Sequence, residues 1–109
     1  MTERNPSDRM RGMLGLAMRA GKVVIGTEMV CTSLGKKGRV KLVLVACDAS
    51  AATKKKVITK CEFYGVPVKE VELDTGELGR LLGKTYAPAT VAVTDDGFAK
   101  EISVSLAQN

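Results

Sequence analysis

Val40-Lys41-Leu42-Val43-Leu44-Val45-Ala46 is the stretch that decides the fold. It is almost wholly apolar and does not alternate with polar residues, the pattern of a strand covered on both faces. The longest unbroken apolar run, Leu42 to Cys47, is far too short to cross a bilayer. A strand buried on both sides needs helices above and below it, so the segments around it should supply two helical layers.

Working outward, the chain does this. After a polar start expected to fray through Pro6, Ser7 to Ala20 places Met10, Met13, Leu14 and Ala17 at helical spacing. Ser7 is a candidate N-cap and Gly21 closes the helix. Lys22 to Ile25 reads as a short strand, and a second helix opens at Gly26 and Thr27, capped by the Thr27 hydroxyl, and runs to about Leu34. Gly35 to Gly38 is a basic loop before the central strand.

Beyond that strand, Asp48 and Ser50 are both available to cap a third helix over about Ala51 to Tyr64. This helix should bury Val57, Cys61 and Tyr64, turn Lys56 and Lys60 outward, and stop at Gly65. Val66 to Leu73 alternates as a strand. Asp74 and Glu77 stand at capping-box spacing for a short helix with Leu78, Leu81 and Leu82, ended by Gly83. Gly79 within it costs about 1 kcal/mol against alanine, which calls for another backbone packed close by. Thr90 to Thr94 forms a last strand, and Asp95 or Asp96 caps a final helix with Phe98, Ile102 and Leu106 on one face. With no repeat, linker or low-complexity segment, residues 1–109 read as one α/β domain.

Composition narrows the function. The 109 residues are 45% hydrophobic and 27% charged, as in ordinary globular proteins. Histidine is absent, which closes acyl-transfer and thiol-protease mechanisms that use it as base. Cys31, Cys47 and Cys61 are odd in number and widely spaced, and are expected to be reduced, buried or half-buried thiols, with no metal site and no cofactor. No basic-then-apolar leader opens the chain, so a cytoplasmic location away from membranes is expected.

The net charge of +5 conceals a split. Residues 1–60 hold 13 Lys or Arg against Glu3, Asp8, Glu28 and Asp48, a balance of +9, whereas residues 61–109 hold 4 against 8 acids, a balance of −4. Charge segregated in this way gives a positive face suited to a polyanion. The run Lys54 to Lys56 on its own reads as a solvated helix surface, but the whole set points to nucleic acid.

Four segments together resemble a known family over about Met10 to Leu106. They are Lys22-Val23-Val24-Ile25-Gly26-Thr27, Lys41-Leu42-Val43-Leu44-Val45-Ala46-Cys47-Asp48, Leu78-Gly79-Arg80-Leu81-Leu82-Gly83-Lys84 and Val91-Ala92-Val93-Thr94-Asp95. Their order and spacing are similar to the L-seven-Ae and L-thirty-e ribosomal-protein family, in its bacterial YlxQ-like branch. The resemblance implies a three-layer α/β/α sandwich around a four-stranded mixed sheet. It also implies binding to kink-turn RNA, a sharply bent helix–internal loop–helix element; the partner expected is such an RNA or other structured or ribosomal RNA, in association with the ribosome, and the chain is expected to act as a monomer.

The implied RNA-binding residues fall in two groups. One is Gly26, Thr27, Glu28, Met29 and Thr32 at the start of the second helix; the other is Tyr86, Ala87, Pro88, Ala89 and Thr90 in the loop before the last strand. Basic residues Lys22, Lys36, Lys37 and Arg39 accompany them, Lys37 matching a basic position of the family. A helix N-terminus offers unpaired N–H groups and a positive dipole end, and a small apolar loop packs on an extruded base. The family pattern has Asn-Glu and then lysine three residues later, where this chain has Glu28, Met29 and Thr32. The reading is therefore a non-catalytic RNA-binding protein. The alternative is a protein-interaction module accessory to translation whose kink-turn surface has decayed.

Overall fold

In the computed structural model, residues 6–107 are described, with side chains from Asp8 onward. The elements run α1 (Pro6–Arg19), β1 (Val23–Ile25), α2 (Thr27–Leu34), β2 (Leu42–Ala46), α3 (Ala51–Tyr64), β3 (Val68–Val71), α4 (Thr75–Leu81), β4 (Thr90–Val93) and α5 (Asp96–Ala107). Of the start expected to fray, only Pro6 lies within the described residues, and it is already helical. Ser7 is thus inside α1 and is not its N-cap, since proline with its fixed φ serves as an early helical residue.

The four strands form one mixed sheet in the order β1-β4-β2-β3. β2 runs antiparallel to β4, from Leu42↔Val93 to Val45↔Thr90, and parallel to β3, from Val43↔Val68 to Ala46↔Val71. β1 flanks β4 antiparallel, with Ile25 opposite Val91. Every residue of β2 and β4 is buried, as the unbroken apolar stretch demanded, while edge strand β3 exposes Lys69 and Glu70.

The two-residue period divides the core between the faces. Leu42, Leu44, Ala46, Val91 and Val93 pack with Met10 and Leu14 of α1, Leu78 of α4 and Ile102 of α5. Val43, Val45 and Ala92 turn the other way, onto Val30 and Leu34 of α2 and Val57 and Cys61 of α3. The expected α/β/α layering is therefore present, with α2 and α3 on one face and α1, α4 and α5 on the other.

Helix ends follow local chemistry in most places. Ser50 Oγ accepts the Thr53 N–H at 3.1 Å and caps α3, while Asp48 caps nothing there and accepts the Thr75 N–H at 2.8 Å instead. The capping box of α4 closes in both directions, Glu77 N–H to Asp74 at 2.8 Å and Asp74 N–H to Glu77 at 3.0 Å. Asp95, not Asp96, caps α5 by accepting the Phe98 N–H at 3.0 Å.

Three further expectations are corrected. β3 is shorter than the apolar pattern, because the Val66 N–H is drawn to the Cys61 carbonyl in closing α3. Tyr64 lies on the surface, 43% exposed, because Val57 and Cys61 already fill the inward stripe. Cys47 is exposed, just past the end of β2, while Cys61 is buried and Cys31 half-buried.

Candidate nucleic-acid interface

The chain leaves β1 through Gly26, whose φ of 103° and ψ of 141° lie where side chains are rarely tolerated. Nothing lies within 4 Å of where its Cβ would stand, so the backbone conformation and not crowding calls for glycine. Gly26 is itself the N-cap residue of α2, with no side-chain hydrogen bond closing the helix. Thr27, expected to be that cap, shares a hydrogen bond with the Thr90 hydroxyl at 2.8 Å. The first N–H groups of α2 are therefore left without a side-chain acceptor, directed out of the helix end.

Thr90 is buried and begins β4, and its carbonyl accepts the Gly26 N–H at 2.9 Å. Two bonds thus tie the start of α2 to the end of the loop 82–89. The loop is fixed elsewhere too, by the Ala46 N–H donating to the Ala89 carbonyl at 2.9 Å. A Cβ on Gly79 would collide with the Tyr86 carbonyl oxygen and stand 3.3 Å from Pro88 Cδ, which is the close backbone approach its place in α4 implied. Pro88 is buried and Ala89 half-buried, while Ala87 and Tyr86, the latter 51% exposed, face out. Both predicted groups, Gly26 to Thr32 and Tyr86 to Thr90, consequently meet at one end of the sheet.

The predicted basic residues are not there. The Lys22 carbonyl accepts the Thr94 N–H at 2.9 Å, at the opposite end of β1. Lys36, Lys37 and Arg39 follow the C-terminus of α2, and the eight residues of the helix separate its ends by about 12 Å. An exposed stripe still leads from one to the other, because Glu28 or Met29 and Thr32 succeed each other at the spacing of helix neighbours and exposed Lys36 follows just past the helix end. A ligand lying along α2 would meet N–H groups at one end and cations at the other.

Sequence reading missed Lys56, because it lies on another helix, 28 residues from its partner. Its Nζ donates to Glu28 Oε2 at 2.9 Å, and this hydrogen bond and the attached charge raise the lysine above its ordinary pKa. Both groups are exposed, so the pair adds little to stability. Its effect is local, for the carboxylate at the start of α2 is matched by a cation and does not present a bare negative charge. Among the described residues no cluster of three or more Cys, Asp or Glu is arranged to hold a metal, and no helix is long and apolar enough to cross a membrane.

A mixed four-stranded sheet between two helical layers, with an open helix N-terminus beside a pinned loop, defines a recognisable class of small α/β/α domain. Residues 8–103 match the model of the ribosomal protein L7Ae/L30e/S12e/Gadd45 family, and the chain belongs to that family. It is 50% identical over 90 residues to the RNA-binding protein YlxQ of Bacillus subtilis, spanning 83% of this chain and 87% of that one. Over 94 residues it is 31% identical to the large ribosomal subunit protein eL30 of Sulfolobus acidocaldarius, with 86% and 89% covered. A solved structure of a Bacillus halodurans protein of unknown function superposes with a TM-score of 0.82 at 36% identity, covering 90% of this chain and 96% of that one. The 15.5kD RNA binding protein of Giardia lamblia shares the fold, with a TM-score of 0.78 at 16% identity over 97% and 88%. Two of these relatives thus carry the names of an RNA-binding protein and of a large-subunit ribosomal protein.

Proposed function

We propose that this chain is a non-catalytic RNA-binding protein that acts as one domain on structured RNA, in association with the ribosome, and holds a kinked internal loop against the start of α2. The observation that carries this reading is the double tie of Thr90 to Gly26 and Thr27, at 2.9 and 2.8 Å. It sets an uncapped helix N-terminus, suited to phosphate and base-edge acceptors, beside a small apolar loop suited to an unstacked base. Descent in a family whose relatives include RNA-binding and ribosomal proteins supports the same ligand class.

The affinity comes from charge and the selectivity from shape. Lys36, Lys37 and Arg39 would sit on phosphates of one stem while the α2 terminus meets the bend. Glu28 and Met29 offer no positive group to that bend, so selectivity for a kink-turn over other bent RNA is expected to be weak. Titration of a two-stem RNA carrying a bulged internal loop, beside a straight duplex of equal length at one salt concentration, tests the reading. Tighter binding to the bulged RNA is expected; equal affinity would reduce the interaction to unspecific charge.

A further inference from the structure

Two lysines of the run Lys54 to Lys56, unremarkable as sequence, belong in the structure to a built surface, namely Lys55 and Lys56. Lys55, Lys56, Thr59, Lys60, Phe63 and Tyr64 line a shallow depression of about 600 Å³ along the outer side of α3. Phe63 is 80% exposed, the most exposed large apolar side chain among the described residues. Its ring and that of Tyr64 meet edge to face, centroids 4.9 Å apart, an arrangement in which Tyr64 covers at most one flat face of Phe63 and leaves the other open. Lys60 and Thr59 precede Phe63 by three and four residues and so share its side of the helix.

The charges around this ring are mostly uncommitted. Lys54 is bound to Glu70 at 3.2 Å and to the Cys47 carbonyl, but Lys55 and Lys60 have no ion pair among the described residues. Glu62, seven residues on from Lys55, is the acid at the margin of the face. The Lys56–Glu28 contact of 2.9 Å joins the depression to the α2 stripe without a gap.

This composition discriminates between partners. The centres of protein–protein interfaces are depleted of lysine. Lysines around an open ring instead suit a single strand of nucleic acid, whose phosphates follow the cations while a base stacks on the ring. A duplex offers no free base face, so only unpaired nucleotides fit.

We infer that the outer side of α3 is a second RNA subsite, which takes an unpaired stretch leading away from the α2 surface, with one base stacked on Phe63 and phosphates on Lys55 and Lys60. The inference rests on the reading of α2 as an RNA-binding element and lengthens its footprint.

The test uses the full chain and a bulged two-stem RNA, with and without a single-stranded oligouridylate tail, together with free oligouridylate of about twelve nucleotides. Phe63→Leu keeps an apolar side chain and removes the aromatic face. Because the residue is so exposed, thermal unfolding should be unchanged and serves as the folding control. The tail is expected to tighten wild-type binding, and Phe63→Leu to abolish that gain, a loss of about tenfold for one stacked base. Affinity for the untailed RNA should not move. Lys55→Ala with Lys60→Ala should lower both the gain and its salt dependence, and 4-thiouridine in the tail should crosslink to the α3 peptide.

A tail that adds nothing, or a gain that survives in Phe63→Leu, overturns the subsite and leaves the α2 reading intact. If the variant is indifferent to every RNA but is released from ribosomal particles, the subsite is likewise overturned and the face belongs to a protein. Free oligouridylate bound through Phe63 with no preference for the bulged RNA upholds the subsite and overturns the α2 reading. No binding of any of the three overturns both.

Discussion

The hydroxyls of Thr27 and Thr90 lie 2.8 Å apart, though 63 residues separate them in the chain. This bond removes Thr27 from the role its position invites, that of capping α2, and gives it to the neighbouring strand. The helix end is left open because its N-cap residue, Gly26, has no side chain and the next hydroxyl along, that of Thr27, is engaged with Thr90.

Replacing one threonine should expose that dependence. Thr90→Val keeps the volume but leaves the Thr27 hydroxyl without its partner, and is expected to cost about 1 kcal/mol in urea denaturation. The double variant with Thr27→Val should recover part of the loss, since no unpaired hydroxyl remains. Affinity for bulged RNA should fall in both variants, because each loosens the loop from the helix. Full affinity in the double variant would show that the tie does not organise the site.

Gly79→Ala places a methyl against the Tyr86 carbonyl oxygen, a backbone atom that moves only with the loop. Overpacking of this kind is expected to destabilise by about 1–3 kcal/mol. The amide resonances of Tyr86 to Thr90 should shift and RNA affinity should drop. An unchanged spectrum of that loop would contradict the packing described.

Removing the cations beyond the C-terminus of α2 should act uniformly. Lys37→Ala with Arg39→Ala is expected to weaken all RNAs to a similar degree and flatten the plot of log affinity against log salt by roughly 0.7–0.9 per lost phosphate contact. Preferential loss on bulged RNA would place these residues at the bend and not on a stem.

The start of α2 should respond selectively. Glu28→Asn, Met29→Glu and Thr32→Lys together are expected to tighten binding to a standard kink-turn by about 1.5–3 kcal/mol, one charge-assisted hydrogen bond, with a much smaller gain on a straight duplex. The new carboxylate at position 29 leaves Lys56 an acid nearby, so the gain should survive the loss of Glu28. Equal gains on kinked and straight RNA would mean that added positive charge alone is responsible.

Burial pushes the Cys61 thiol up to about 11 from 9.0, with Cys31 adding to the shift. A raised thiol pKa means the native state holds its proton longer than the unfolded chain does. The stabilisation is complete below pH 9 and is lost as pH rises from there through about 11. Denaturation midpoints should therefore fall across that window, and fall less in Cys61→Ala. A thiol reagent should label exposed Cys47 rapidly and Cys61 only through opening of the fold.

Much of the architecture was legible because it is local. The unbroken apolar stretch at Leu42 to Ala46, the Asp74–Glu77 box and the demand of Gly79 for a close backbone each appear as read. What escaped the sequence is long-range competition for polar groups. Asp48 serves Thr75 rather than α3, Thr27 serves Thr90, and Glu28 is answered by Lys56 from another helix. The α2 and loop residues of the candidate site lie side by side, tied through Thr90. Lys22 and the basic loop lie elsewhere because a helix and a strand each carry their two ends in opposite directions, which a list of nearby residues in sequence does not convey.

The loop 82–89 is held at three points, against Gly79, by the Ala46 N–H and through Thr90. Such a surface is preorganised, and little conformational entropy remains for the protein to surrender when a ligand arrives. On the proposed reading the rearrangement would then fall on the RNA, an internal loop being a far softer object than this pinned backbone. In the encounter proposed above the protein would serve as a rigid template, and the free energy of bending would be set by the stacking and ionic atmosphere of its partner.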